Sequence, residues 1–185
     1  MRKPQGRICT REATPVQVAA VCYRCKAGST RFLLVRTSSG RWTFPKGRLE
    51  DGLSHAQAAA LEAFEEGGVD GRVDPRPIGR YLHRKESLRG YRSKEVTVLA
   101  FLLEVEKSAL PAESHRTPRW FTSSDARQRL AQGRPAKYLR SMERVFDSAL
   151  RKIARKHPKI RLARTAPPET LRKTQRRQPG CHSAG

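Results

Sequence analysis

Gly47-Arg-Leu-Glu-Asp-Gly-Leu53, running on to Leu61-Glu-Ala-Phe-Glu-Glu-Gly-Gly-Val69, is the stretch on which the fold turns. Glu62, Glu65 and Glu66 stand at i, i+3 and i+4, positions that share one face of an α-helix. The helix carries its own start and stop signals. Ser54 is placed to cap it, Gln57 three residues later completes a capping box, and Gly67-Gly68 offers the left-handed exit. Three carboxylates this close repel one another unless positive charge lies among them. A hard divalent cation such as Mg²⁺ or Mn²⁺ prefers oxygen ligands of this kind. A Glu-x-x-Glu-Glu cluster on its own is more often a solvated helix face. The glycine at a fixed offset upstream, the Trp42-Thr-Phe-Pro-Lys-Gly47 turn and the glycine pair downstream favour a metal site instead. Ala56, Ala58, Ala59, Ala60 and Ala63 keep the rest of the helix small, which lets it lie close against a sheet.

This arrangement resembles the Nudix box of the Nudix hydrolases, G-x5-E-x7-R-E-U-x-E-E-x-G-U with U aliphatic. Gly47, Glu62, Ala63, Glu65, Glu66, Gly68 and Val69 fall at its spacing, whereas Leu53 and Leu61 stand where a glutamate and an arginine are usual. Arg41-Trp-Thr-Phe-Pro-Lys-Gly47 looks like the strand and turn that enter the box. Arg119-Trp-Phe-Thr-Ser-Ser-Asp-Ala126 is similar to the late strand and short helix of the diphosphoinositol polyphosphate phosphohydrolases. The likeness covers roughly residues 14 to 147. It implies an α/β/α sandwich with a mixed sheet, and cleavage of a diphosphate linked to another moiety. It also implies metal held by Glu62, Glu65 and Glu66, with the Gly47 carbonyl as a further ligand. Glu62 or Glu66 would orient or deprotonate water, with Glu113 as a candidate carboxylate from outside the box.

The remaining sequence sets the outer limits. A chain of 185 residues fits one domain with appendages. The longest apolar run, 96 to 105, includes Thr97 and Glu104 and is too short to span a membrane. Arg2, Lys3, Arg7 and Arg11 are followed by no apolar segment, so the N-terminus does not read as a secretory signal. Cys22 and Cys25 form one C-x-x-C, but Cys9 and Cys181 give no second pair for a zinc site. The cysteines read as reduced thiols of a cytoplasmic protein. The formal net charge is +22, of which residues 151–185 carry +10, with Glu169 their only acid. Proline-rich and poor in large apolar residues, the tail is expected to be disordered. It reads either as an arm for a polyanion such as nucleic acid or as a solubilising extension. Lacking aromatic residues, such an arm would bind electrostatically and with strong salt dependence. The expected organisation is a flexible 1–13, a catalytic domain over 14–156 and a basic tail over 157–185.

Coarse patterning places strands at Val16–Cys22, Arg31–Arg36, Trp42–Phe44, Val73–Lys85 (interrupted by Pro75 and Pro77), Lys94–Glu106 and Trp120–Thr122. Ser123 or Ser124 is expected to cap a short helix to Leu130. Pro135 opens a last helix whose stripe of Tyr138, Leu139, Met142, Val145, Phe146, Ala149, Leu150 and Ile153 reads as core. Arg41, Lys46, Arg48 and Lys94 are candidate substrate-binding residues, with Arg84, Lys85, Arg89 and Arg92 on or beside a rim loop. Their density favours a multiply phosphorylated substrate. The subgroup likeness implies inositol pyrophosphates, dinucleoside polyphosphates or polyphosphate. Two alternatives stand beside this enzyme: an RNA 5′-pyrophosphohydrolase that uses the tail, and a non-catalytic binding module, which Leu53 and Leu61 favour.

Overall fold

In the computed structural model, the described residues are 16–26, 28–85 and 94–158. Within them the chain forms β1 (Val16–Lys26), β2 (Ser29–Arg36), β3 (Trp42–Thr43), β4 (Lys46–Arg48), α1 (His55–Gly67), β5 (Val69–Val73), β6 (Gly79–Lys85) and β7 (Lys94–Ser108). A 3-10 turn at Ser114–Arg116, β8 (Arg119–Thr122), α2 (Ser123–Ala131) and α3 (Ala136–Lys156) follow.

The sheet is mixed. β1 and β7 run parallel at its centre, from Val16 opposite Thr97 to Tyr23 opposite Glu104, and the other pairings are antiparallel. The far edge of β1 is shared: its start pairs with β4 and its end with β2. Side chains alternate along β1 because successive residues of a strand point to opposite faces. Val18, Ala20 and Cys22 join the cluster beneath α1, with Leu33, Ala59, Ala63, Phe101 and Leu103. Ala19, Val21 and Tyr23 join the opposite cluster, with Phe32, Phe44, Tyr81 and the Met142, Val145, Phe146, Ala149 and Ile153 stripe of α3. Helices therefore cover both faces, and the expected α/β/α sandwich is the fold. Cys22 and Cys25 are free thiols and belong to opposite clusters.

Several boundaries differ from the sequence reading. β1 continues to Lys26 because its end pairs with β2 through Lys26 opposite Ser29. Of the expected 73–85 strand, β6 occupies only Gly79–Lys85; β5 ends at Val73, having begun at Val69 where no strand was expected, and the two lie in turn along one edge of β7. The segment carrying Pro75 and Pro77 separates them, since proline has no N–H to give to a ladder. Arg84 and Lys85 consequently belong to β6 rather than to a loop, while Arg89, Arg92 and the tail from 159 lie outside the described residues. The cap of α2 is Thr122, one residue earlier than expected, its hydroxyl accepting from the Asp125 N–H. Among the described residues no helix is long and apolar enough to cross a membrane.

Phe146 ties α3 to the sheet, its ring centroid 4.7 Å from that of Phe32 and 6.4 Å from that of Phe44. Truncating it removes a fully packed aromatic side chain and leaves a cavity. Phe146→Ala is expected to cost about 3–5 kcal/mol of unfolding free energy, measured by urea denaturation. A loss below about 1 kcal/mol would show that α3 is not part of this core.

Candidate active site

α1 positions the carboxylates. Ser54 caps it through the reciprocal capping box with Gln57, and Gly68 ends it in the left-handed region at φ 63°. A Cβ on Gly68 would also run into the backbone of the 109–111 segment, which is bonded there through the Ala109 N–H to the Gly68 carbonyl at 2.7 Å. Buried alanines press one side of α1 onto the sheet. Glu62 and Glu65 remain partly exposed, whereas Glu66 is turned inward with 1 % of its surface accessible.

β4 supplies the opposing backbone. Glu66 Oε2 accepts the Lys46 main-chain N–H at 3.0 Å. Gly47 lies against the Glu62 carboxylate so closely that a Cβ there would overlap it. This contact gives the box glycine its steric reason. Glu66 Oε1 meets Nη2 of Arg116 at 2.6 Å, and Nε of the same guanidinium meets Glu113 Oε2 at 2.7 Å. The Glu113 N–H is bonded in turn to the Glu65 carbonyl at 2.9 Å.

A cleft of about 340 Å³ opens over these groups. Glu62, Glu65, Glu66, Glu113 and Gly47 line its acidic side, and Arg41, Lys46, Arg48, His83, Arg84 and Arg116 supply positive or titratable groups around it. Three of the four expected substrate-binding residues are thus brought to one cavity. Lys94 opens β7 opposite Lys85, and its side chain lies outside the described residues. Burial pushes the Glu62 carboxyl up to about 7, and the charges of Glu66 and Glu65 add to the rise. Burial also raises the Glu66 carboxyl, against the lowering effects of Lys46 and Arg116, and pushes the Lys46 ammonium below its ordinary range.

The donor set suits a hard cation, because carboxylate and carbonyl oxygens are what Mg²⁺ and Mn²⁺ take. Among the described residues, however, no three His, Cys, Asp or Glu side chains converge as a ready-made chelating set. Both Glu66 oxygens are already engaged by protein N–H groups. Leu53, at the usual glutamate position, packs against the α1 cluster instead. Sequence reasoning missed Arg116, Gln17, His83 and Arg134. Arg134 donates to the carbonyls of Trp42 at 2.9 Å and Leu130 at 2.8 Å. With Arg41, His83 and Arg84 it lines a basic recess of about 110 Å³. No local pattern marks these residues, since each reaches the cleft from a distant element. Trp42 and Trp120 are half-buried. Trp42 packs edge-on against Phe121, and Trp120 lies 4.0 Å beneath the Arg24 guanidinium.

The NUDIX domain family matches residues 14–142, and the chain belongs to that family. Solved structures share its fold at low identity. The NUDIX domain of Shewanella oneidensis NrtR, in complex with ADP ribose, superposes with a TM-score of 0.56 at 15% identity, covering 77% of this chain and 90% of that one. A Caenorhabditis elegans Ap4A hydrolase in a binary complex gives 0.55 at 21%, covering 76% and 98%. A NUDIX hydrolase from Nitrosomonas europaea gives 0.55 at 23%, covering 74% and 91%.

The closeness of Gly47 to Glu62 has a measurable consequence. Gly47→Ala must push either β4 or the Glu62 carboxylate aside, as overpacking does elsewhere, at about 1–3 kcal/mol. Chemical denaturation of the variant measures this, and an unchanged midpoint would mean that the two groups are not in contact in solution.

Proposed function

We propose that this protein is a metal-dependent pyrophosphohydrolase that cleaves a diphosphate linkage in a multiply phosphorylated small molecule. An inositol pyrophosphate or a dinucleoside polyphosphate is such a substrate. The observation that carries this reading is the single cleft with α1 carboxylates on one side and Arg41, Lys46 and Arg48 around them. Membership of the NUDIX domain family supports it, and so does a fold shared with an Ap4A hydrolase.

In this reading Glu62, Glu65, Glu66 and the Gly47 carbonyl would hold Mg²⁺ or Mn²⁺, which when bound would supply charge neutralisation at the phosphates and a lowered pKa for water. Glu62 takes the proton of the attacking water at a carboxylate oxygen, and Glu66 fixes the geometry of the cluster. Arg41 and Arg48 bind phosphate oxygens, the buried Lys46 adds positive charge beneath them, and Lys94 is assigned to the same role. The basic recess around Arg134 extends this field for a second phosphorylated end. The basic 157–185 segment we assign to polyanion binding, with the domain proper over 14–156. RNA as the substrate is an alternative that rests on this segment alone.

A second reading, a non-catalytic binding module, is favoured by one observation: Arg116 already satisfies Glu66, while Leu61 leaves Glu62 without the usual arginine. Restoring that arginine separates the two readings. Leu61→Arg should raise an existing phosphate-release activity of a slow enzyme, and absence of activity in both forms favours the binder.

The enzyme reading makes a kinetic prediction. Phosphate release assayed with Mg²⁺ or Mn²⁺ on diadenosine polyphosphates, inositol pyrophosphates, nucleoside triphosphates and 5′-triphosphate RNA should be abolished by chelation. It should fall about 10²–10⁴-fold in kcat for Glu62→Gln, as loss of a general base does. Arg41→Ala should act mainly on KM. Full turnover by Glu62→Gln would remove Glu62 from the proton-transfer role.

A further inference from the structure

Arg116 reaches the carboxylate cluster from outside α1 and β4. Its guanidinium bridges Glu66 Oε1 at 2.6 Å and Glu113 Oε2 at 2.7 Å. The guanidinium thus places positive charge within hydrogen-bond distance of the most buried acid in the cleft. The other Glu66 oxygen accepts the Lys46 N–H. His115 also stands 3.5 Å from the same Glu113 oxygen.

The segment that delivers Arg116 is held by contacts. It is pinned to the end of α1 by two main-chain bonds, Ala109 N–H to the Gly68 carbonyl and Glu113 N–H to the Glu65 carbonyl. Directly after Arg116, Thr117 has φ 43°, the one positive φ among described non-glycine residues. A β-branched residue does not choose the left-handed region unaided. Such strain persists only where the surroundings impose it.

We propose that Arg116 is a resident counter-cation that competes with the divalent metal for Glu66. In the metal-free protein it neutralises Glu66 and Glu113 and holds the 109–118 segment against α1. A cation taking Glu66 must displace it, because two positive centres on one buried oxygen repel each other strongly in a medium of low dielectric. Metal binding is therefore coupled to withdrawal of the Arg116 guanidinium from Glu66, and the displaced guanidinium faces the phosphate cleft it already lines. This inference rests on the metal reading given above.

The test is titration calorimetry of the full-length protein with Mn²⁺, paired with thermal melting with and without the ion, for wild type, Arg116→Gln and Arg116→Lys. Arg116→Gln should melt lower than wild type without metal, because Glu66 loses its partner, and should bind Mn²⁺ about tenfold more tightly. Arg116→Lys, which keeps the charge but loses the two-pronged contact, should fall between and carries the test if the glutamine variant does not fold. In a Glu66→Gln background, changing Arg116 should leave Mn²⁺ affinity unaltered. Binding seen in Arg116→Gln alone would also support the competition. Unchanged or weaker affinity in Arg116→Gln, with wild type binding normally, overturns the competition and leaves the metal reading standing. Absence of Mn²⁺ binding in every form overturns both.

Discussion

A carboxylate as buried as that of Glu66 is tolerated only where its charge is answered, because desolvating an unpaired ion costs several kcal/mol. Three separate pieces of chain meet there, two of them supplying the answer. α1 presents the side chain, β4 offers the Lys46 N–H, and the turn after β7 offers Arg116. The end of the box helix, the strand that precedes it and a segment some fifty residues later are thereby fixed at one point. The cleft is the space left around that point, and its mixed polarity follows from the same demand: acids gathered on one helix face call for cations on the elements opposite.

Glycine and alanine make this geometry possible. Gly47 lets Glu62 lie against backbone, and Gly68 lets the chain turn out of α1 directly beneath the 109–111 backbone. The alanines let α1 settle onto β1 and β5. The opposite face takes the larger share of the aromatic side chains, with Phe146 of α3 packed among Tyr23, Phe32, Phe44 and Tyr81.

Much of this was legible in the sequence, for a physical reason. Capping is local chemistry, so Ser54, Gln57 and Gly68 announce α1 within fifteen residues. Periodicity is local too: of the expected α3 stripe Met142, Val145, Phe146, Ala149 and Ile153 are buried, while Tyr138, Leu139 and Leu150 are half-buried at its margin. Long-range pairing leaves no such trace. β4 is three residues long and exists because β1 offers it an edge. β5 went unread because only its pairing with β7 makes a strand of the residues directly after α1. Three consecutive hydroxyl residues, Thr122, Ser123 and Ser124, can all cap a helix, and the end of β8 decides in favour of the first. Arg116 had no sequence signal at all: its partners are a box glutamate far upstream and a loop acid three residues before it.

The account turns on whether the carboxylate face of α1 is where a divalent cation and Arg116 exchange. The most direct measurement is an anomalous difference map from crystals of the full chain grown with and without Mn²⁺. The account predicts a manganese peak among Glu62, Glu65 and Glu66, with the Arg116 guanidinium withdrawn from Glu66 in that crystal and seated on it in the metal-free one. A map at saturating Mn²⁺ with no peak at these glutamates, and Arg116 still bonded to Glu66, would contradict it.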